Sequence, residues 1–386
     1  MSRTLRAVLA HAFFLQLAAY IVRPTSAYRA IELGVSPGLV GLIAASFAVV
    51  PLALAVFIGR WNDRGRQYVS MWLGALIMIG AGIGLLWSSS LAALLWWNAA
   101  IGLGHLMSVI GEQGLVARAG DGRLDSAFGT YTFFGTLGQA AAPALLGVIG
   151  GAAVMPDTRA LIVCYVAACA VMFLVTLLLR GGRSSALPVD RPSSFAEVLR
   201  VPNDVRRRMT GAMLVSMLVL AAVDLIQVYL PALGVEREMS AWTVGLLLTL
   251  RACATMVSRL GLSRLTERYG RSRLVTTSCV VAGLSIALVA APVNPVLLGV
   301  VLVVAGFALG VGQPVSMSIV AVAAPPGTTS TWLALRLSAN RLGQSVIPVG
   351  LSALTGSIGT GGIFVVTAAG LLLTGVASRL LISPDP

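Results

Sequence analysis

Lysine is absent from the chain, and every basic residue is arginine. A nucleotide-binding loop of the GxxxxGK(S/T) type is therefore excluded, so any drive from ATP would need another subunit. Charge of either sign is scarce. Only 11% of residues are charged and 57% are hydrophobic, whereas a soluble globular chain is about a quarter charged. There is too little polar surface to cover a water-soluble body of 386 residues. Of the two histidines, His11 and His105, neither is followed by glutamate, so no HExxH helix exists. No GxSxG elbow occurs either. An enzyme within the bilayer thus has no motif to stand on. Cys164, Cys169, Cys253 and Cys279 lie inside apolar runs, form no CxxC pair and have no histidine beside them. That argues against a disulfide framework or a zinc site, and the four read as inert buried thiols. Nothing in the sequence implies a metal or a cofactor. No filter-like loop interrupts the apolar runs, which argues against a channel.

What the sequence has in abundance is long apolar runs. A helix needs roughly 20 apolar residues to cross a bilayer. Spans are expected at 7–28, 38–59, 68–87, 91–117, 128–151 and 159–179, then at 209–233, 241–262, 274–292, 296–323, 331–355 and 361–381. Very tight hairpins are expected at Ser88-Ser89-Ser90 and from Pro292 to Pro295. Arg3 and Arg6 ahead of an apolar run, with Thr25-Ser26-Ala27 after it, imitate a signal peptide. The spans that follow make this a first transmembrane helix instead. Residues 180–208 hold three prolines and seven arginines, and read as a solvated linker in which Ser194–Leu199 fits a short amphipathic helix.

The formal charge of +13 is distributed as topology, not as a nucleic-acid surface. Arginines flank apolar runs, as in Arg206-Arg207-Arg208 before Met209, and no basic stripe with interleaved aromatics occurs. With the N-terminus inside, the inner segments collect Arg3, Arg6, Arg60, Arg64, Arg66, Arg118, Arg123, the linker set and Arg259 to Arg273. The outer side has little beyond Arg29, Arg159 and Arg237. Both termini and the linker are thus expected on the cytoplasmic side of a bacterial inner membrane.

An internal repeat runs the length of the chain. Leu137-Gly138-Gln139 with Pro143 recurs as Leu342-Gly343-Gln344 with Pro348, a shift of 205 residues. Asp63-Arg64 followed by Gly65-Arg66 recurs as Glu267-Arg268 followed by Gly270-Arg271, and Leu17-Ala18-Ala19 recurs as Leu220-Ala221-Ala222. The expected fold is an all-α membrane protein with twelve transmembrane helices in two six-helix pseudo-symmetric bundles. The expected domains are residues 1–180 and 209–386, joined by a cytoplasmic linker at 181–208. Duplicated halves suit a transporter that rocks one half against the other around a midplane site.

The loop Gly59-Arg60-Trp61-Asn62-Asp63-Arg64-Gly65-Arg66 resembles the signature loop of the major facilitator superfamily, one residue short between Arg64 and Gly65. Residues Ser263 to Arg271 keep the full spacing, with serine for the first glycine and glutamate for the aspartate. Two further motifs of that family are altered. Asn98 stands where the fourth-span arginine would be, and Gly138-Gln139 replaces the Gly-Pro of the antiporter motif. The resemblance implies a secondary transporter of a small organic molecule, working as a monomer, with proton-coupled efflux as the first reading. In physical terms, Asp63 or Glu267 would sit at a helix N-terminus or pair with an arginine, latching neighbouring helices. A merely solvated, positive-inside loop is the other reading of Gly59, Asp63, Arg64, Gly65, Arg66, Glu267, Arg268, Gly270 and Arg271.

Ionisable residues within spans are costly and usually functional. Here they fall in spans one, four, seven, eight and eleven, and spare the interiors of three, six, nine and twelve. The family resemblance implies that those four are peripheral and the rest line a central cavity. Asn98, His105 and Glu112 are spaced by seven on the fourth span, one stripe with a small drift. His105 either titrates during the cycle or stays neutral between helices. Glu112 either carries a proton or braces an arginine. Asp224 shares a face with Gln227 and is deep in the seventh span, and Arg251 in the eighth is its expected partner. Arg336, Asn340 and Arg341, with Gln344, make a polar face on the eleventh span. Arg23 shares a face with Gln16 and Tyr20 on the first. Four in-span arginines against two deep acids give the alternative reading, proton-coupled uptake of an organic anion.

Overall fold

The computed structural model describes residues 3–36, 39–63, 65–119, 124–179, 201–324 and 329–382. Arg64, most of the linker and its expected helix at Ser194–Leu199 lie outside them, as do the side chains of Arg60, Asp63 and Arg118. The described residues are helical throughout, apart from the short turns that join the helices. The helices are α1 (Arg3–Glu32), α2 (Gly41–Asp63), α3 (Gln67–Leu86), α4 (Leu91–Ala119), α5 (Leu124–Gly150) and α6 (Thr158–Leu178). They continue with α7 (Asn203–Glu236), α8 (Ala241–Leu260), α9 (Leu262–Tyr269), α10 (Arg271–Val289), α11 (Pro295–Ala323) and α12 (Thr329–Leu381).

Ten stretches among these are long and apolar enough to cross a bilayer. They include the second arm of α12, which bends at Gly359 with φ 66°. Helix α2, whose apolar part is Gly41–Ala55, and the first arm of α12 complete the expected twelve spans. One expectation is corrected. The segment between spans eight and nine is not an open loop: it winds into α9, whose LSRLTERY sequence is strongly amphipathic.

The termini of the helices follow from local chemistry. Asp157 accepts a hydrogen bond from the amide of Ala160 at 3.0 Å and caps α6. Asn294 accepts from Leu297 at 2.9 Å and caps α11, with Pro295 in the first turn where no amide donor is missed. Prolines inside helices, such as Pro24, Pro143 and Pro231, are tolerated because neighbouring helices shield the freed carbonyls.

The chain packs as two units, residues 1–188 with 227–249, and residues 189–226 with 250–386. In the first, α1 is the most enclosed helix, with Leu15, Ala18, Ala19 and Val22 in one apolar core together with Met78, Ile101 and Tyr165. By contrast α3 and α6 show Trp72, Ile83, Val163 and Leu174 at their surfaces. In the second, α10 and the last arm of α12 likewise show Leu284, Leu288, Leu373 and Leu380. Apolar surface of this extent suits helices whose solvent is lipid.

The repeat is carried by atoms as well as letters. A Cβ on Gly102 would collide with the carbonyl of Phe47, and one on Gly306 with the carbonyl of Arg251. Each member of the second pair is 204 residues after its counterpart. A Cβ on Gly138 would strike the carbonyl of Phe13, and one on Gly343 would strike Met217, again 205 and 204 residues on. Both halves therefore use glycine to bring the same helix pairs into close contact.

Candidate functional site

In the first unit the fourth-span stripe meets α1 residue by residue. Ser26 Oγ donates to Asn98 Oδ1 at 3.2 Å. Gln16 Nε2 lies 3.5 Å from His105 Nε2. His11 Nδ1 lies 2.5 Å from Glu112 Oε1. The spacing of seven on α4 thus becomes a zipper along the antiparallel face of α1. Helix α5 closes it from the side, with Gln139 Nε2 donating to Gln16 Oε1 at 3.1 Å and Tyr131 OH donating to Glu112 Oε2 at 2.8 Å.

His11 and Glu112 are both 0% exposed, and Nε2 of His11 has no hydrogen-bond partner among the described residues. The trio thus brings a carboxyl, an imidazole and a phenol together away from water. His11 and Tyr131 are not among the residues the sequence singles out for the site. Their only signal is a polar group within an apolar run.

Arg23 stacks over Phe47 and Tyr20, with its guanidinium carbon 4.6 and 5.5 Å from the ring centroids. Phe47 in turn faces the His105 ring at 5.5 Å. Gln227, in the C-terminal third of α7, is fully buried, and neither its Oε1 nor its Nε2 has a hydrogen-bond partner among the described residues.

In the second unit Gln344 bridges two sequence candidates. Arg341 Nη1 donates to Gln344 Oε1 at 3.1 Å, and Gln344 Nε2 donates to Asp224 Oδ2. Gln344 is the repeat counterpart of Gln139, and each reaches from its LGQ motif to a polar residue on the first helix of its own half. Asp224 and Arg251 are both buried. Arg251 presents its carbonyl to Thr255 Oγ1 at 3.1 Å. Arg336 is buried on Gln313 and Ser316, and Asn340 lies one turn along.

The two hairpins also correspond. Gly65 and Gly270 have φ of 81° and 72°, a conformation glycine adopts without strain. Their amides donate to the carbonyls of Asn62, three residues back, and Thr266, four residues back, both at 2.9 Å, so a left-handed glycine ends the helix before it in each half. Asn62, read in the sequence only as part of a loop, ties its hairpin together. Its Nδ2 donates to the Ile58 carbonyl at 2.9 Å and to Ser70 Oγ at 3.0 Å, and Ser70 Oγ donates to the Met107 carbonyl on α4 at 2.8 Å. Arg66 stacks over Trp61, and Arg271 Nε donates to Ser318 Oγ on α11 at 2.8 Å. Glu267 and Arg268 are exposed on α9, and Gly59 has open space beside it.

The chain matches the Major Facilitator Superfamily at residues 8–242 and 212–386. It belongs to that family and is a multi-pass secondary transporter. A POT family transporter in complex with 5-aminolevulinic acid superposes with a TM-score of 0.81 at 15% identity, covering 97% of this chain and 95% of that one. The nucleoside transporter NupG superposes at 0.78 and 14% identity over 100% of both chains. A POT family transporter in complex with a thioalcohol-conjugated peptide gives 0.79 at 15%, covering 97% and 95%. At these identities the likeness is one of fold. No curated protein matches the chain by sequence.

Proposed function

We propose that this protein is a proton-coupled transporter of a small organic molecule, working by alternating access as a monomer in a bacterial inner membrane. Both termini are cytoplasmic in this reading, which the arginine asymmetry supports. The observation that carries the coupling is the buried trio His11, Glu112 and Tyr131, with Glu112 at 2.5 and 2.8 Å from its two partners. Export is the first reading of direction and rests on the family resemblance. Uptake of an organic anion is the second, and a specific observation favours it: Arg336 is buried on neutral oxygens alone.

Proteoliposomes with an imposed pH gradient, an internal pH dye and a broad compound panel test the coupling. Substrate-dependent proton movement is expected, and its absence with any transported compound would sink the proposal. In the same assay Asp224→Asn should abolish or uncouple proton movement, because Asp224 and Arg251 are proposed to form, or to take turns forming, a charge pair near the midplane. An unchanged pH dependence in Asp224→Asn would remove it from the mechanism.

Asp63 and Glu267 are proposed to be parts of equivalent latches at the two hairpins, supported by the left-handed glycine at Gly65 and at Gly270. Asp63→Asn should slow transport severalfold while leaving membrane insertion intact. Wild-type transport in that variant would reduce the loop to a topology signal.

A further inference from the structure

Arg336 lies on the first arm of α12 and is 5% exposed. Its Nε donates to Ser316 Oγ at 3.3 Å. Its Nη2 donates to the same Oγ at 3.2 Å, to the Gln313 carbonyl at 2.9 Å and to Gln313 Oε1 at 2.6 Å. Gln313 is itself fixed, since its Nε2 donates to the Ser216 carbonyl at 2.5 Å and its Oε1 accepts from Ser216 Oγ at 3.1 Å. Every one of these acceptors is neutral. Among the described residues no carboxylate meets Arg336, and none of these bonds uses Nη1. Trp332 and Asn340 lie one turn before and one turn after it, on the same face. Both are buried, and neither the indole Nε1 of Trp332 nor Oδ1 of Asn340 has a hydrogen-bond partner among the described residues.

A guanidinium removed from water is costly unless a counter-charge reaches it. Gln313 and Ser316 aim the fork without neutralising it, and so leave its charge whole for something that arrives. A planar fork with spare N–H groups matches the paired oxygens of a carboxylate or phosphate, and the Trp332 N–H one turn away adds a further donor. We propose that Arg336, with the indole N–H of Trp332, takes the carboxylate or phosphate group of the transported molecule. The assignment rests on the transporter reading above and narrows its substrate to an organic anion.

The test is equilibrium binding without any gradient, so that its failure is separate from a failure of proton coupling. The full chain in phosphatidylcholine nanodiscs is titrated with inorganic phosphate, benzoate and uncharged benzamide, following melting temperature and tryptophan fluorescence. Phosphate or benzoate should stabilise the wild type, and benzamide should not. Arg336→Gln should weaken that binding about tenfold or more, the usual effect of losing a charged hydrogen-bonding partner. Gln313→Glu is the sharper variant, because it supplies an internal counter-charge while keeping the shape. It gives up the donation to the Ser216 carbonyl, so its melting temperature decides nothing, but it should abolish anion binding. Anion binding unchanged in a folded Gln313→Glu protein would mark a purely structural arginine and overturn the proposal. So would a wild type that no anion stabilises. A second arm adds phosphatidylglycerol to the nanodiscs, and displacement of the soluble anions by that lipid would assign the site to a headgroup and overturn the substrate assignment.

Discussion

Glu112→Gln should leave the protein folded and inserted, yet lower proton-driven flux by about tenfold or more, a loss of at least ~1.4 kcal/mol in the coupled step. The amide keeps the outline of the carboxyl. Its oxygen can still accept from Tyr131 OH, which donates to Glu112 at 2.8 Å, and its nitrogen can still meet His11 Nδ1, now 2.5 Å from Oε1. What the amide cannot do is exchange a proton. With one shared proton the His11–Glu112 group is neutral and tolerates a dry surrounding. Without it a bare charge is buried, at a penalty of a few kcal/mol. On the proposed coupling, the proton leaves only when water or a compensating charge reaches the site, which would tie its release to a conformational change. The Glu112→Gln substitution removes that tie. Flux driven by a pH gradient should fall, while substrate exchange at equal pH on both sides should continue. His11→Asn should instead strand Glu112 without its nearest partner and lower both stability and flux. Equal gradient-driven flux in Glu112→Gln and wild type would take the trio out of the coupling mechanism.

Much of the fold was legible because the bilayer imposes it. Each of the twelve apolar runs expected from length and hydropathy coincides with a helix over most of its length. The repeat could be read because three short motifs survived in order. The stripe Asn98, His105 and Glu112 was legible because helical period alone puts three polar residues on one face. Its partner was not. Period says which residues share a face, but not which helix lies opposite, so Ser26, Gln16 and His11 could not be matched to the stripe. His11 was hidden further by its place near the start of α1, where a polar residue passes for an interfacial one. Gln344 gave its position through the LGQ repeat but not its bridge between Arg341 and Asp224, which depends on the approach of α12 to α7. At the hairpin the sequence drew attention to charge, while Asn62, short and neutral, makes the contacts that fix the turn. Helix α9 was missed because eight residues carry little periodic signal.

Gly102→Ala and Gly306→Ala should destabilise the protein by similar amounts, about 1–3 kcal/mol each, the usual cost of overpacking a tight contact. The added methyl meets a backbone carbonyl in each case, Phe47 on α2 or Arg251 on α8, and not the yielding end of a flexible side chain. The helices must part or bend to admit it, and the close contact along their length goes with them. The two sites are 204 residues apart in sequence, as are Phe47 and Arg251, so the variants probe one contact in duplicate. Gly80 on α3 supplies the control. It is helical with nothing within 4 Å of where a Cβ would stand. There Gly80→Ala should be neutral or stabilising by about 0.5–1 kcal/mol, because alanine is the better helix former. Thermal unfolding in detergent, with monodispersity read by size exclusion, separates the cases. A lowered melting temperature at 102 and 306 beside an unchanged or raised one at 80 is the expected pattern. If 102 falls and 306 does not, the duplicated contact is not equally important to both halves. If neither falls, backbone approach at glycine is not what joins α2 to α4 and α8 to α11.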